Sequence, residues 1–514
     1  MIFGGKKYII KTIYKNKMIG YRNAVYDPRE EAVELFTWDD DGNRIVTTKQ
    51  YKPYLYIENI KGGFTSIFNT PLQKKSFNST FERYKFIKES GQKRLFENFA
   101  PVQQFLIDEY FQVNETEEFT KFPLKIYYWD IETPSANEFP NAQEAKHPIQ
   151  LITIYCSLRE KFFVWGLKPY TSNFKNRTNV EYVFCNSEII LLEKLIEFLR
   201  DDPADIITGW NTMGYDNPYI VNRIRNILGE DAVKKLSPYG GVYSRTFPGK
   251  FGKEETVWHI DGISLVDYLD IYKKFKFVNQ ESYRLDAIGE IELGENKIDY
   301  GGQSLYNLMI KDWNTFVDYN IQDVHLVVKL EEKLQFLALL RMLAYTGLTT
   351  FEGAMGTLSI ITGATAIRAR KRNQCIPTFI RDGEGEKNPG AFVADPIVGF
   401  QTNVVSFDAN SLYPNVMISC NMSPETKIGK IISRENDEVV IRHANGQIFT
   451  LTEEKFKRFV DKEIIAVSKA NVLFSQKKKG IIPEVVDHFY KERVNIKREL
   501  KKLKKELADL ETQY

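Results

Sequence analysis

Three features of the 514-residue sequence predict a multidomain fold that mixes α/β with α+β architecture. They are its length, an early region of short β-prone runs between turns, and a following region in which strands alternate with helical patterns. At roughly one domain per 150 residues, three or four domains are expected. A hydrophobic fraction of 43% with 13% aromatics excludes a mainly disordered chain. Basic and acidic residues nearly cancel, 70 against 68, so attraction to a polyanion must come from local patches. Cys156, Cys185, Cys375 and Cys420 are far apart and form no Cys-x-x-Cys pair, which argues against a zinc ribbon or a disulfide framework. The five histidines show no metal-ligand spacing, so any metal should be a hard ion on carboxylate oxygens. With no secretory leader and no apolar run near ~18 residues, a cytoplasmic location without a membrane partner is expected.

Residues 1–122 read as a β-rich module, with runs at Tyr8–Tyr14, Val33–Trp38 and Tyr54–Ile57 and a turn at Asp39–Gly42. Residues 123–339 read as α/β, with a strand at Pro148–Tyr155 and a helix at Ser187–Leu199. Helical patterns follow at Glu331–Tyr345 and Phe351–Arg372, then a turn-rich linker at Arg381–Gly390 and a β-prone run, Asn403–Phe407, that ends in Asp408. From Pro483 one long helix is predicted, about 48 Å at ~1.5 Å per residue. Leu500, Leu503, Leu507 and Leu510 give it an apolar stripe, and Lys491–Lys505 holds eight basic residues against two acids. Taken alone, that stretch also reads as a short coiled coil with a solvated basic face.

The chemistry centres on Leu124–Thr133, a β-prone run ending in two carboxylates. Alternation along a strand puts Asp130 and Glu132 on one face, where like charges repel unless a divalent ion sits between them. The run is apolar on both faces, which predicts a central strand. Gly209–Asp216 follows a β-prone stretch at Asp205–Thr208 and precedes a helical pattern with Ile220, Ile224 and Ile227 on one face, which places Asp216 near a helix start. Tyr319 and Asp323 stand four apart on one helix face. Singly these could be solvated strand-end acids, an N-cap and a surface acid. Together they match two-metal phosphodiester hydrolysis. Clustered carboxylates hold two Mg²⁺ about 4 Å apart, and a tyrosine orients the attacking water.

The order Asp-Ile-Glu, Gly-Trp-Asn-(x)₄-Asp, Tyr-(x)₃-Asp resembles the three exonuclease motifs of family B DNA polymerases. Ser406–Pro414 is similar to their first polymerase motif, Asp-x-x-Ser-Leu-Tyr-Pro, and Pro389–Val393 to the segment between the two sites. Val266–Phe275 is similar to a pattern of the T-even-type bacteriophage branch. The resemblance implies an N-terminal domain at 1–122 completed by 340–380, and an RNase H-like 3′→5′ exonuclease domain at 123–339. It also implies a partial palm at 381–478 and a first fingers helix at 479–514.

It further implies that Asp130, Glu132, Asp216 and Asp323 hold two Mg²⁺ and that Tyr319 positions water. Asp408, with the Ala409 carbonyl, would ligate two Mg²⁺ at the completed polymerase site. The main chain of Ser411, Leu412 and Tyr413 would cradle a dNTP, and the Tyr413 ring would exclude a 2′-hydroxyl. Arg493 and Lys497 would grip the triphosphate. Tyr243–Val257 resembles a strand-separating hairpin. The implied partners are a DNA primer-template, a single-stranded 3′ end and dNTP.

Asn388 stands where family members carry Tyr. The Lys-(x)₆₋₇-Asn-Ser-x-Tyr-Gly fingers motif and the Asp-Thr-Asp palm motif are not found in this sequence. The expectation is therefore the N-terminal subunit of a split polymerase, in the host cytoplasm if viral, needing a second polypeptide for DNA synthesis. A truncated polymerase is the other explanation of the missing motifs. A stand-alone Mg²⁺-dependent exonuclease and a non-catalytic nucleic-acid-binding protein are the alternative functions.

Overall fold

The computed structural model describes residues 20–91, 94–113, 119–136, 138–172, 179–248, 254–298, 301–378 and 393–513. The Tyr8–Tyr14 run, the Arg381–Gly390 linker with Asn388, and all of Pro389–Val393 except Val393 lie outside the described residues. The chain divides into two compact units. The first gathers Met1–Pro53, Asn78–Thr80 and Ala100–Gly363, and the second gathers Tyr54–Phe77, Phe81–Phe99 and Ala364–Tyr514. Residues 1–122 thus contribute to both.

In the first unit, strand Ile126–Glu132 lies inside a six-stranded mixed sheet. It is antiparallel to Leu151–Cys156 on one side and parallel to Ile206–Thr208 on the other. Tyr127, Trp129 and Ile131 pack into a core with Leu191, Leu195, Ile220 and Ile224 from helices Glu188–Asp201 and Asp216–Leu228. Tyr128, on the opposite face, packs with Phe316, Val317, Ile321 and Val324 of helix Trp313–Leu334. Cover on both faces explains why the strand is apolar throughout and why its polar end falls against one particular helix. Ile227, expected on the buried face, is more than a third exposed at the end of its helix. The hairpin pairs Val242–Pro248 with Glu254–Ile260.

The expected single helix at Glu331–Tyr345 is two helices. Trp313–Leu334 ends at Gln335, which is left-handed with φ 55°, and Phe336–Gly347 follows. The Glu331 carboxylate accepts the Leu337 N–H at 2.9 Å and so caps the second helix from the first. Apolar periodicity runs through the corner because Leu330, Leu337 and Leu340 are buried on both sides of it. Phe351–Arg372 likewise breaks into Phe351–Ala354 and Thr357–Lys371.

The second unit holds a five-stranded sheet with Tyr54–Glu58 at its centre and Pro377–Thr378 at one edge. Beneath it, buried Glu97 takes both Arg370 Nε contacts, at 3.1 and 3.0 Å, and Arg370 also donates to Tyr54 Oη at 2.6 Å. A second five-stranded sheet, all antiparallel, runs through Lys427–Glu435, Glu438–His443, Ile448–Thr452, Ile465–Val467 and Val472–Ser475. Helix Glu453–Glu463 covers one of its faces through Phe456. The long helix runs Ile481–Gln513, so Pro483 is its third residue. Its start is fixed by Glu425, which accepts the Ile481 N–H at 2.6 Å, and by an Arg372–Glu484 ion pair.

The predicted strand at Asn403–Phe407 does not form. That segment has no regular structure, and Phe407 is 92% exposed. A strand persists where a neighbour takes up its N–H and C=O groups, and among the described residues no strand pairs with this segment.

One buried ionic knot ties the start of the first unit to its sheet. Asp205, 1% exposed, pairs with Arg22 Nη1 at 2.7 Å and with Arg44, and accepts the Lys125 N–H at 2.8 Å. Asp205→Ala leaves a buried guanidinium without its counter-charge and should cost about 3–5 kcal/mol. The check is hydrogen exchange of the Ile126–Glu132 amides. Strong loss of protection is expected, and unchanged protection contradicts this reading.

Candidate metal and nuclease site

The carboxylates converge because the sheet face that buries Tyr128 continues into Asp130 and Glu132, opposite helix Trp313–Leu334. One carboxylate oxygen from each of Asp130, Glu132 and Asp323 lies within 4.8 Å of the other two. Tyr319 stands one helical turn before Asp323, and both are nearly buried. Asp216 is outside that three-residue set but fastened to the same strand. Its Oδ1 accepts the Ile131 N–H at 3.0 Å, while Trp129 Nε1 donates to the neighbouring Asn217 at 3.1 Å.

The loop that delivers Asp216 has little freedom. A Cβ on Gly209 would lie 2.4 Å from the Trp129 carbonyl oxygen, so only glycine allows so close an approach. Buried Asp267 accepts the N–H groups of Asn211 at 3.0 Å, Met213 at 3.0 Å and Leu269 at 2.9 Å, pinning the loop to the start of helix Tyr268–Phe275.

Two site residues escape the sequence motifs. Fully buried Asn320 donates through Nδ2 to Asp130 Oδ2 at 2.5 Å and to Glu132 Oε1 at 3.5 Å. Lys297 donates to Asp323 Oδ2 at 2.5 Å and to the Tyr319 hydroxyl at 3.1 Å. Asn320 stands three before Asp323 on one helix face, a spacing that could have marked it. Lys297 comes from an irregular stretch before residue 298 and left no such sign.

Crowding shows in the electrostatics. Burial first, then repulsion from Asp216, Glu132 and Asp323, holds the Asp130 carboxyl well above the usual range. Glu132 is pushed up to about 8 by burial and Asp323, and Asp216 to about 7 by burial, against the pull of the Ile131 N–H. Asp323 is raised by burial and pulled back by Lys297. Asp323 Oδ1 and Asn320 Oδ1 are buried without a hydrogen-bond partner. A compact, all-oxygen, over-charged set with an orphaned carboxylate oxygen fits a hard divalent cation.

The polymerase candidates all lie in the second unit. Asp408 and Ala409 sit in an exposed stretch without regular structure. Ser411, left-handed at φ 51°, opens the short helix Leu412–Ser419, which packs on the long helix and leaves Tyr413 70% exposed. Arg493 and Lys497 are exposed on the long helix. Among the described residues no acidic cluster includes Asp408.

Comparison with known proteins places both regions. The pattern described as "DNA polymerase family B, exonuclease domain" matches residues 78–288, and that of "DNA polymerase family B" matches residues 359–513. The first match holds Asp130, Glu132 and Asp216 but stops before Lys297, Tyr319 and Asp323. Similar proteins include the DNA-directed DNA polymerase of Escherichia phage RB69, 28% identical over 86% of this chain and 51% of that protein. The DNA-directed DNA polymerase of Enterobacteria phage T4 is 31% identical over 59% of this chain and 36% of its own length. The DNA polymerase delta catalytic subunit of Caenorhabditis elegans is 27% identical over 63% and 28% respectively. The chain therefore spans about half the length, or less, of these relatives.

The raised carboxyls fix the sign of the pH response. With native pKa values above unfolded ones, the metal-free fold binds extra protons between roughly pH 4.5 and 8 and loses stability as pH rises through that window. Cation binding must expel those protons. Calorimetry with Mg²⁺ or Mn²⁺ should show affinity rising about tenfold or more from pH 6.5 to 8.5, with proton release. Affinity independent of pH would contradict the cluster's role.

Proposed function

Because the chain belongs to the family B DNA polymerases, we propose that its first unit removes nucleotides from DNA 3′ ends and that its second unit supplies part of a DNA-synthesising centre. The observation that carries this reading is the meeting of Asp130, Glu132 and Asp323 beside Tyr319, with Asp216 fastened to the same strand.

Divalent cations held by this set would lower the pKa of a bound water and neutralise charge on the leaving oxygen. The chain's own groups do the rest. Asp130, Glu132 and Asp323 feel the ammonium of Lys297, which cannot balance them all, so an anionic DNA strand is repelled until cations are bound, which makes the reaction metal-dependent. Asn320 holds the Asp130 and Glu132 carboxylates in one orientation through its single amide. The Tyr319 hydroxyl is raised by burial and by Asp323, so it keeps its proton. It accepts from Lys297 and offers its own proton to Asp323 or to the attacking water.

In the second unit, Tyr413 would pack against the sugar of an incoming dNTP and reject a 2′-oxygen by collision. Arg493 and Lys497, one turn apart, would take the triphosphate. Asp408 alone cannot hold two Mg²⁺. We assign the second carboxylate, with the remaining fingers, palm and thumb, to a second polypeptide carrying Asn-Ser-x-Tyr-Gly and Asp-Thr-Asp. Completeness of the acidic group within the first unit, against the exposed setting of Asp408, also favours a chain that acts by itself as an exonuclease.

The test is Mg²⁺-dependent release of mononucleotides from a 3′-labelled single-stranded oligonucleotide. Asp130→Ala with Glu132→Ala should lower the rate by a thousandfold or more, while Tyr319→Phe slows it about 10²-fold. Undiminished release by the double variant would sink the assignment. Coexpression with the complementing polypeptide should add template-directed synthesis. Its failure with every such chain leaves the exonuclease reading in place and removes the split polymerase.

A further inference from the structure

The antiparallel sheet at residues 427–475 has one face packed by helix Glu453–Glu463, with Ile431, Val439, Ile441, Ile465, Leu473 and Phe456 between them. Strand alternation fixes what the other face carries. Lys430 stands directly opposite Arg442 on the next strand and opposite Val472 on the strand beyond. Lys427 pairs with Phe474 in the adjoining row, and Arg442 pairs with Ile448. Lys427, Lys430 and Arg442 are all exposed, and none forms an ion pair with another described residue. The acids of this face, Glu435 and Glu438, face each other near the hairpin turn, on the far side of the Ser433–Val440 pair.

Like charges directly opposite on neighbouring strands weaken a sheet. Elsewhere on these strands Glu435 and Glu438 make a second like-charged pair, near the hairpin turn, while Arg434, on the helix side, pairs with Glu453 through two nitrogens. A basic cross-strand pair kept without a counter-charge, among Ile448, Val472 and half-buried Phe474, has the composition of a surface that takes a polyanion carrying flat apolar groups. We propose that this open face binds single-stranded DNA, with Lys427, Lys430 and Arg442 on phosphates and the Phe474 side on bases. The inference rests on the reading that DNA is this chain's substrate, and it adds a binding surface distinct from the carboxylate site and from Arg493 and Lys497.

The arrangement supplies its own control. Lys430→Glu turns the opposed pair into a cross-strand ion pair, so the sheet should be as stable or more stable while DNA binding weakens. Lys430→Gln with Arg442→Gln removes charge without reversing it. Lys455→Glu makes the same net charge change on the exposed surface of the covering helix.

The measurement is fluorescence anisotropy of the full chain with a labelled 30-nucleotide single strand across a salt series, in EDTA, with thermal melting of each variant. Lys430→Glu and the double variant should bind about tenfold more weakly. Their slope of log affinity against log salt should flatten by ~0.7 for each phosphate that the variant no longer neutralises. Lys455→Glu should bind like the parent. Equal weakening in Lys455→Glu, or unchanged binding and slope in both sheet variants, overturns the proposal. Cleavage of a trinucleotide by the parent chain with Mg²⁺ is read separately, so a failed nuclease assignment is told apart from a failed DNA surface.

Discussion

Repulsion among carboxylates is the constraint on which the first unit depends. Asp130, Glu132 and Asp323 are brought within a few ångströms of one another and mostly out of water, and Asp216 adds its charge to the same strand. No isolated strand or helix would hold them so. The cost is met by packing that has nothing to do with the site itself. Trp129 and its neighbours fill one face of the sheet, Tyr128 and helix Trp313–Leu334 fill the other, and the acids fall where that packing leaves them. Lys297 and Asn320 soften the repulsion without removing it, which leaves a demand for cationic charge built into the fold.

The two units answer different physical problems. The first gathers its functional groups in a buried, cross-braced pocket, where Asp267 and Gly209 fix the one loop that must be placed accurately. In the second, Asp408, Tyr413, Arg493 and Lys497 stand in the open, and a run of apolar side chains at Val404, Val405 and Phe407 meets solvent. Apolar surface of that kind is costly to leave exposed and is the mark of a face built to be covered.

Much of the first unit was legible because its signals are local. Period-two alternation put Asp130 and Glu132 side by side, and four-residue spacing put Tyr319 over Asp323. The β-prone stretch before it and the helical pattern after it located the loop that ends at Asp216. Asn320 was legible in principle from its spacing to Asp323. Lys297 was not, since an irregular stretch reveals nothing of where its side chain will reach. The corner at Gln335 was hidden because apolar periodicity continues across it, whereas the left-handed turn at Gln335 stops one helix and the Glu331 carboxylate caps the start of the next. Asn403–Phe407 misled for the opposite reason: its β propensity is real, but a strand needs a neighbour, and propensity cannot supply one.

Diffraction from Mn²⁺-soaked crystals, recorded at the manganese edge, tests the central claim most directly. Two anomalous peaks about 4 Å apart should lie among Asp130, Glu132, Asp216 and Asp323, with the Lys297 ammonium displaced from Asp323. Absence of manganese from that group at saturating metal, with Lys297 still seated on Asp323, would show that the acids are a structural knot and not a metal centre.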